Sequence, residues 1–149
     1  MDTEVNVVAE PREEWMSLAY AQCTVTGKPT TAIIDTGVGP SLITKWLLDQ
    51  LGWDIDEPAT RSIVITNGQR SVPLGEVREV PVQFGMEVIP IRMIVSNAEM
   101  YGIILEMNWL TKAKAKIDAE AQRMIFVSHG RKFSVPLDIR RGVLPRITQ

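Results

Sequence analysis

The sequence predicts a mainly β domain with one or two short helices, and three observations carry that expectation. Apolar runs of strand length alternate with turn-forming stretches such as Thr26-Gly27-Lys28-Pro29, Asn67-Gly68 and Gly85-Met86. Only two stretches have the one-face spacing of a helix. With 149 residues, 45% hydrophobic and 23% charged, the chain has the length of one domain and enough apolar surface to bury a core.

Taken in order, residues 18–25 and 30–34 flank Thr26-Gly27-Lys28-Pro29, the pattern of a hairpin with a tight turn. Thr44 can cap a short helix through Leu51, with Trp46, Leu47 and Leu51 on its inner side and Gly52 as the left-handed stop. Residues 62–66 and 69–73 flank Asn67-Gly68, the strongest two-residue hairpin signal. Residues 77–84 and 88–95 flank Gly85-Met86. Pro81 and Pro90 each remove a backbone donor there and so favour edges or bulges. Residues 101–105, 115–118, 123–127 and 132–135 complete the strands. Between the first two of these, Asn108 can open a helical turn through residue 114, with Trp109, Leu110 and Ala113 on one face. Trp46 and Trp109 are expected to anchor the two helices in the core, and the methionines to fill gaps.

The termini differ from this body. Residues 1–17 form an acidic arm, with Asp2, Glu4, Glu10, Glu13 and Glu14 against Arg12 and an interruption at Pro11. Residues 18–136 form the folded domain. Residues 137–149 form a basic tail carrying Arg140, Arg141 and Arg146. The opposite charges could attract within a chain or between two, although exposed ion pairs are weak and solvated tails are the plainer expectation.

Composition removes several function classes. Lys and Arg total 16 against 18 Asp and Glu, a net charge of -2 with no basic stripe, so nucleic acid is not expected as a ligand. Cys23 is the one cysteine and His129 the one histidine, too few for a disulfide or a cluster of soft metal ligands; no metal or cofactor is expected. Cys23 lies in a strand as a small hydrophobe. His129, in Ser128-His129-Gly130-Arg131, has the setting of a solvated turn and not of a general base. No apolar run approaches the ~20 residues that span a bilayer, and the start Met1-Asp2-Thr3-Glu4 has no basic, then apolar, leader. No membrane partner is expected.

The informative stretch is residues 31–43, containing Ile33-Ile34-Asp35-Thr36-Gly37-Val38-Gly39-Pro40-Ser41. An acid directly after an apolar strand, followed by small residues, can place a carboxylate on the floor of a cleft. Taken alone, the tripeptide fits an ordinary Asx-type turn equally well. The wider context is more specific. Ile33-Ile34-Asp35-Thr36-Gly37, then Ser41-Leu42-Ile43, a short helix, an Asn-Gly hairpin and later Tyr101-Gly102-Ile103-Ile104-Leu105-Glu106-Met107-Asn108-Trp109-Leu110 resemble the retropepsin-like aspartic proteases. In gypsy-like retrotransposon proteases the second run often reads Tyr-Asp-Val-Ile-Leu-Gly-Met-Asp-Trp-Leu. The resemblance extends over residues 18–135 and implies a closed, barrel-like all-β fold.

It also implies chemistry. Aspartic proteolysis needs two carboxyl groups sharing a proton, one taking a proton from water and the other giving one to the scissile carbonyl. This sequence has a single Asp-[Ser/Thr]-Gly, and its length excludes two lobes, so the resemblance implies a homodimer in which Asp35 meets its counterpart on a two-fold axis. Thr36 would bond across that axis and Gly37 would offer its carbonyl to substrate. Val38 and Gly39 would border the pocket. Asn67-Gly68 would tip a flap closing over an extended polypeptide substrate held by backbone hydrogen bonds. The implied role is processing of a retrotransposon-like Gag-Pol polyprotein, in the cytoplasm or within a virus-like particle. Two positions depart from the family: Glu106 stands where glycine is usual, and Val38 where alanine is common. Glu106 would press on the catalytic loop or bring a third carboxylate near the pair, and Val38 would narrow the pocket. These departures motivate an alternative, a catalytically impaired relative acting as a dimerisation or peptide-binding module.

Overall fold

The computed structural model describes residues 15–37, 39–59, 64–66, 69–99 and 102–143. β1 (Trp15–Val25) and β2 (Lys28–Ile34) pair antiparallel with Val25 opposite Lys28. The two residues between them, Thr26 at φ 47° and Gly27 at φ 79°, have the double positive φ that matches the twist of a tight hairpin. β3 (Ser41–Thr44) runs into α1 (Lys45–Leu51). The Thr44 hydroxyl accepts from Leu47 N at 3.2 Å, and Gly52 stops the helix at φ 70°.

β4 (Val64–Thr66) and β5 (Gln69–Ser71) form a separate hairpin with Thr66 opposite Gln69. The Asn67-Gly68 tip expected between them lies outside the described residues. β6 (Pro73–Phe84) and β7 (Glu87–Ser96) pair through a turn at Gly85, φ 60°. Pro81 faces Pro90 across that pair, so the two missing donors coincide, and the register shifts between Val77 and Val80. β8 (Ile103–Leu105) leads to α2 (Met107–Lys112). Three antiparallel strands follow: β9 (Lys116–Asp118), β10 (Arg123–Ser128) and β11 (Arg131–Pro136). His129 occupies the turn between the last two at φ 52°, exposed as expected.

The chain then returns as β12 (Asp138–Val143), which pairs with the first half of β1, Trp15 opposite Val143 and Tyr20 opposite Asp138. The sequence places residues 138–143 in a solvated basic tail; they are instead a strand, and β1 starts three residues before the expected position 18. Arg140 pairs with Asp138 Oδ2 at 2.6 Å and lies over the Tyr20 ring, 5.0 Å from its centroid.

The main sheet runs β12-β1-β2-β8-β3-β7-β6, and β6 pairs again with β1 at Thr24 and Val25. That last pairing closes six strands on themselves, so the edges that an open sheet would leave are consumed. β2 and β8 run parallel, as do β3 and β7, while β3 and β8 are antiparallel. Both faces of these short strands are buried, which accounts for their continuous apolar runs. Ile33, Leu42, Ile94 and Ile104 form one cluster; alternate residues such as Ile34, Ile43, Val95, Ile103 and Leu105 join the larger core.

Trp109 is the hub of that core, fully buried, with ring centroids 5.6 Å from Phe84 and 6.1 Å from Phe126. It ties α2 to the barrel and to the three-stranded sheet at once. Trp46, expected to play the same part for α1, is 46% exposed, and Leu48 takes the inner position beside Leu47. Cys23 is buried and its thiol is pushed up to about 12 by burial. Among the described residues no helix is long and apolar enough to cross a membrane.

Candidate active site

Asp35 directly follows β2, and its N–H continues the parallel ladder by donating to Leu105 O at 2.9 Å. The backbone of the acid is therefore fixed by β8, a strand buried on both faces. Its side chain turns back on the loop: Gly37 N donates to Asp35 Oδ1 at 2.8 Å. A Cβ on residue 37 would sit 3.0 Å from that oxygen, so glycine lets the amide approach the carboxylate. Asp35 is half-buried, while Thr36 and Gly37 are exposed.

The far end of the loop is held by a residue whose part the sequence does not reveal. Asn108 is expected to open the second helix; it sits instead one residue inside α2, whose N-cap is Glu106. Its Oδ1 accepts from Ser41 N at 3.0 Å, from the Ser41 hydroxyl at 2.6 Å and from Trp109 N at 2.9 Å, and its Nδ2 donates to Arg92 O at 3.0 Å. The Ser41 hydroxyl in turn accepts from Glu106 N at 3.0 Å. One amide side chain thus joins β3, β7 and α2 beneath the loop. The one available signal is that the gypsy-like run often carries Asp here, whose oxygen could accept the same bonds.

Glu106 is 4% exposed and lies against the loop. Its oxygens fall 2.9 and 3.1 Å from the point a Cβ on Gly39 would occupy. The end of the Glu106 side chain thus occupies the space beside Gly39, and a side chain at position 39 would require that carboxylate to shift. Of the other expected site residues, Val38, Asn67 and Gly68 lie outside the described residues.

Beside Thr36 lies a hollow of about 360 Å³ whose apolar wall includes Met107, Leu110, Ala115 and Ile117. Met107 is 42% and Ile117 36% exposed at this hollow. Among the described residues no three His, Cys, Asp or Glu side chains gather as a metal site. The chemistry on offer is that of one held, solvent-accessible carboxylate on an exposed loop.

Residues 3–132 match the retroviral aspartyl protease family. No curated protein matches the sequence. Among solved structures, the chain is similar to the retroviral protease-like domain of Ddi1 from Leishmania major, with TM-score 0.65 and 18% identity, over 82% of this chain and 94% of that one. It is also similar to the EIAV protease complexed with the inhibitor HBY-793, with TM-score 0.53 and 18% identity, over 74% and 99%. A retropepsin-like aspartic protease from Rickettsia conorii gives TM-score 0.50 and 18% identity, over 72% and 95%. At these identities the likenesses establish the fold, which is the retropepsin-like closed barrel that the sequence predicts.

Proposed function

Because the chain belongs to the retroviral aspartyl protease family, we propose that it is an aspartic endopeptidase, active as a homodimer to which each copy contributes Asp35. The observation that carries this reading is the setting of Asp35: backbone locked to Leu105, one carboxylate oxygen bound to Gly37 N, and the loop exposed on one face. A single such carboxylate lacks the acid–base partner that peptide hydrolysis needs. The apolar hollow and the exposed Met107 and Ile117 beside Thr36 support burial of that face by a second copy.

In the dimer this reading gives the two Asp35 carboxyls one proton between them, so that one acts as base and the other as acid. The ionised one takes a proton from a water whose oxygen attacks the scissile carbonyl carbon. The protonated one donates to the carbonyl oxygen, giving a neutral diol. Collapse of the diol with proton transfer to the amide nitrogen breaks the C–N bond. Thr36 bonds between the two loops and holds the carboxyls level. The substrate adds as an extended strand between the loop, at Gly37, Val38 and Gly39, and the hairpin tipped by Asn67-Gly68. The substrate class is a polyprotein of Gag-Pol type, processed in the cytoplasm or within a virus-like particle.

Incubating the purified chain with a mixed peptide library, with and without a transition-state analogue of aspartic proteases, tests the reading. Cleavage that the analogue blocks and that Asp35→Asn abolishes is expected. A chain that dimerises and binds extended peptides but cleaves none of them from acidic to neutral pH would instead establish the dimerisation or peptide-binding module.

A further inference from the structure

Asp35 and Glu106 leave adjacent parallel strands at the same level, since Ile34 is in register with Leu105 and Asp35 N bonds Leu105 O. Glu106 serves α2 with its backbone alone: its carbonyl accepts from Trp109 N and Leu110 N, both at 3.0 Å, and its side chain makes no cap bond. The side chain runs instead under the Asp35 loop. There its Oε1, Oε2 and Cδ lie 2.9, 3.1 and 3.2 Å from the Cβ position of residue 39.

Gly39 has no left-handed φ, unlike Gly102 at 122° or Gly52 at 70°. A left-handed backbone is thus not what calls for glycine at 39, and the group that stands where its side chain would be is the Glu106 carboxylate. The loop is anchored at Asp35 by Leu105 and at Ser41 by Asn108. Gly39 lies between these anchors, and Glu106 is the group that meets it.

We propose that Glu106 and Gly39 are a reciprocal pair, in which the buried carboxylate fills the space a side chain at 39 would take and sets the height of the catalytic loop. Glu106 is thus a positioning residue for Asp35. The inference rests on the protease reading, and it deepens that reading by naming what supports the loop from below.

The test is a double-mutant cycle with kcat, KM and melting temperature read for each variant. Gly39→Ala presses on the end of the buried Glu106 side chain, shifting it together with the loop, and lowers kcat at least about tenfold, because misplacement of a reacting group by a fraction of an ångström acts on the chemical step; its KM also registers the substrate contact at residue 39. Glu106→Ala removes the support and has a similar effect. Glu106→Gln, nearly the same shape, keeps kcat within about threefold. In the double variant Gly39→Ala/Glu106→Ala the new methyl enters the vacated space, and kcat exceeds the product of the single losses by at least about tenfold. A double variant whose kcat equals that product overturns the pair. Should Gly39→Ala fail to fold, folding restored by Glu106→Ala supports the pair, and folding not restored overturns it. A folded wild-type chain that cleaves nothing removes the protease reading and the positioning role with it; a cleaving wild type with additive losses removes the pair alone.

Discussion

Replacing Asn108 by alanine tests whether one amide side chain holds the base of the active-site loop. Four hydrogen bonds disappear, and they are not equal. Trp109 N retains a second acceptor in Glu106 O at 3.0 Å, and the Arg92 carbonyl lies toward solvent, where water can replace the lost donor. The two bonds from Ser41 matter more, because Ser41 is fully buried and its N–H and hydroxyl lose their shared acceptor. Leaving a buried donor unmet costs about 1–3 kcal/mol and each net bond about 0.5–1.5 kcal/mol. The expected loss is therefore about 3 kcal/mol, or a fall of roughly 6–12 °C in melting temperature for a chain of this size. Asn108→Asp keeps the acceptor toward Ser41 and sacrifices the contact with Arg92, for about 1 kcal/mol. Urea unfolding followed by circular dichroism, at one fixed protein concentration so that association enters equally for each variant, measures both. An alanine variant within about 0.5 kcal/mol of wild type, or an aspartate variant no better than alanine, would refute the reasoning.

Two further outcomes follow from the fold. Gly102 has φ 122°, and a Cβ there would meet Thr31 O at 2.2 Å, backbone against backbone. Gly102→Ala is expected to cost more than about 3 kcal/mol by wedging β8 off β2, against about 1 kcal/mol for Gly130→Ala, where φ is 72° and nothing lies within 4 Å; similar melting temperatures for the two would contradict this. Burial pushes the Cys23 thiol up to about 12. The folded state then keeps a proton that the unfolded thiol loses near pH 8.5–9, so this contribution to stability is whole below about pH 8 and declines as pH rises through the folded value. Stability should fall between about pH 9 and 11 more steeply in wild type than in Cys23→Ala, and a thiol reagent at pH 8 should label Cys23 only after unfolding; parallel pH curves or rapid labelling of the folded chain would count against it.

What the sequence makes visible is local. The Gly85-Met86 turn, the Thr44 cap and the Gly52 stop each depend on residues a few positions apart, and each forms as expected; the turn expected over residues 26–29 closes on Thr26-Gly27 alone, with Lys28 and Pro29 already in β2. Asp35 at the end of an apolar strand is visible for the same reason. Trp46 is misplaced because α1 has only seven residues, too few turns for periodicity to separate its face from that of Leu48. β12 is hidden because Arg140 and Arg141 have the look of a solvated tail, whereas the strand is specified by its pairing with β1, more than a hundred residues away. Asn108 and Ser41, like Glu106 and Gly39, meet across 67 positions of sequence. Their parts in the site come from the topology, which brings the turn after β8 under the loop after β2.

The central claim, that one active site draws on two copies of Asp35, is tested most directly by mixing. Wild-type chain at fixed concentration, well above that needed to associate, is exchanged with increasing amounts of Asp35→Asn chain, and peptide cleavage is followed. If each site needs two aspartates, random exchange at equal amounts sequesters wild-type chains in mixed dimers, and activity falls to roughly half, continuing downward as more variant is added. Activity that stays constant however much Asp35→Asn chain is present would mean that each chain cleaves by itself, and would contradict the claim.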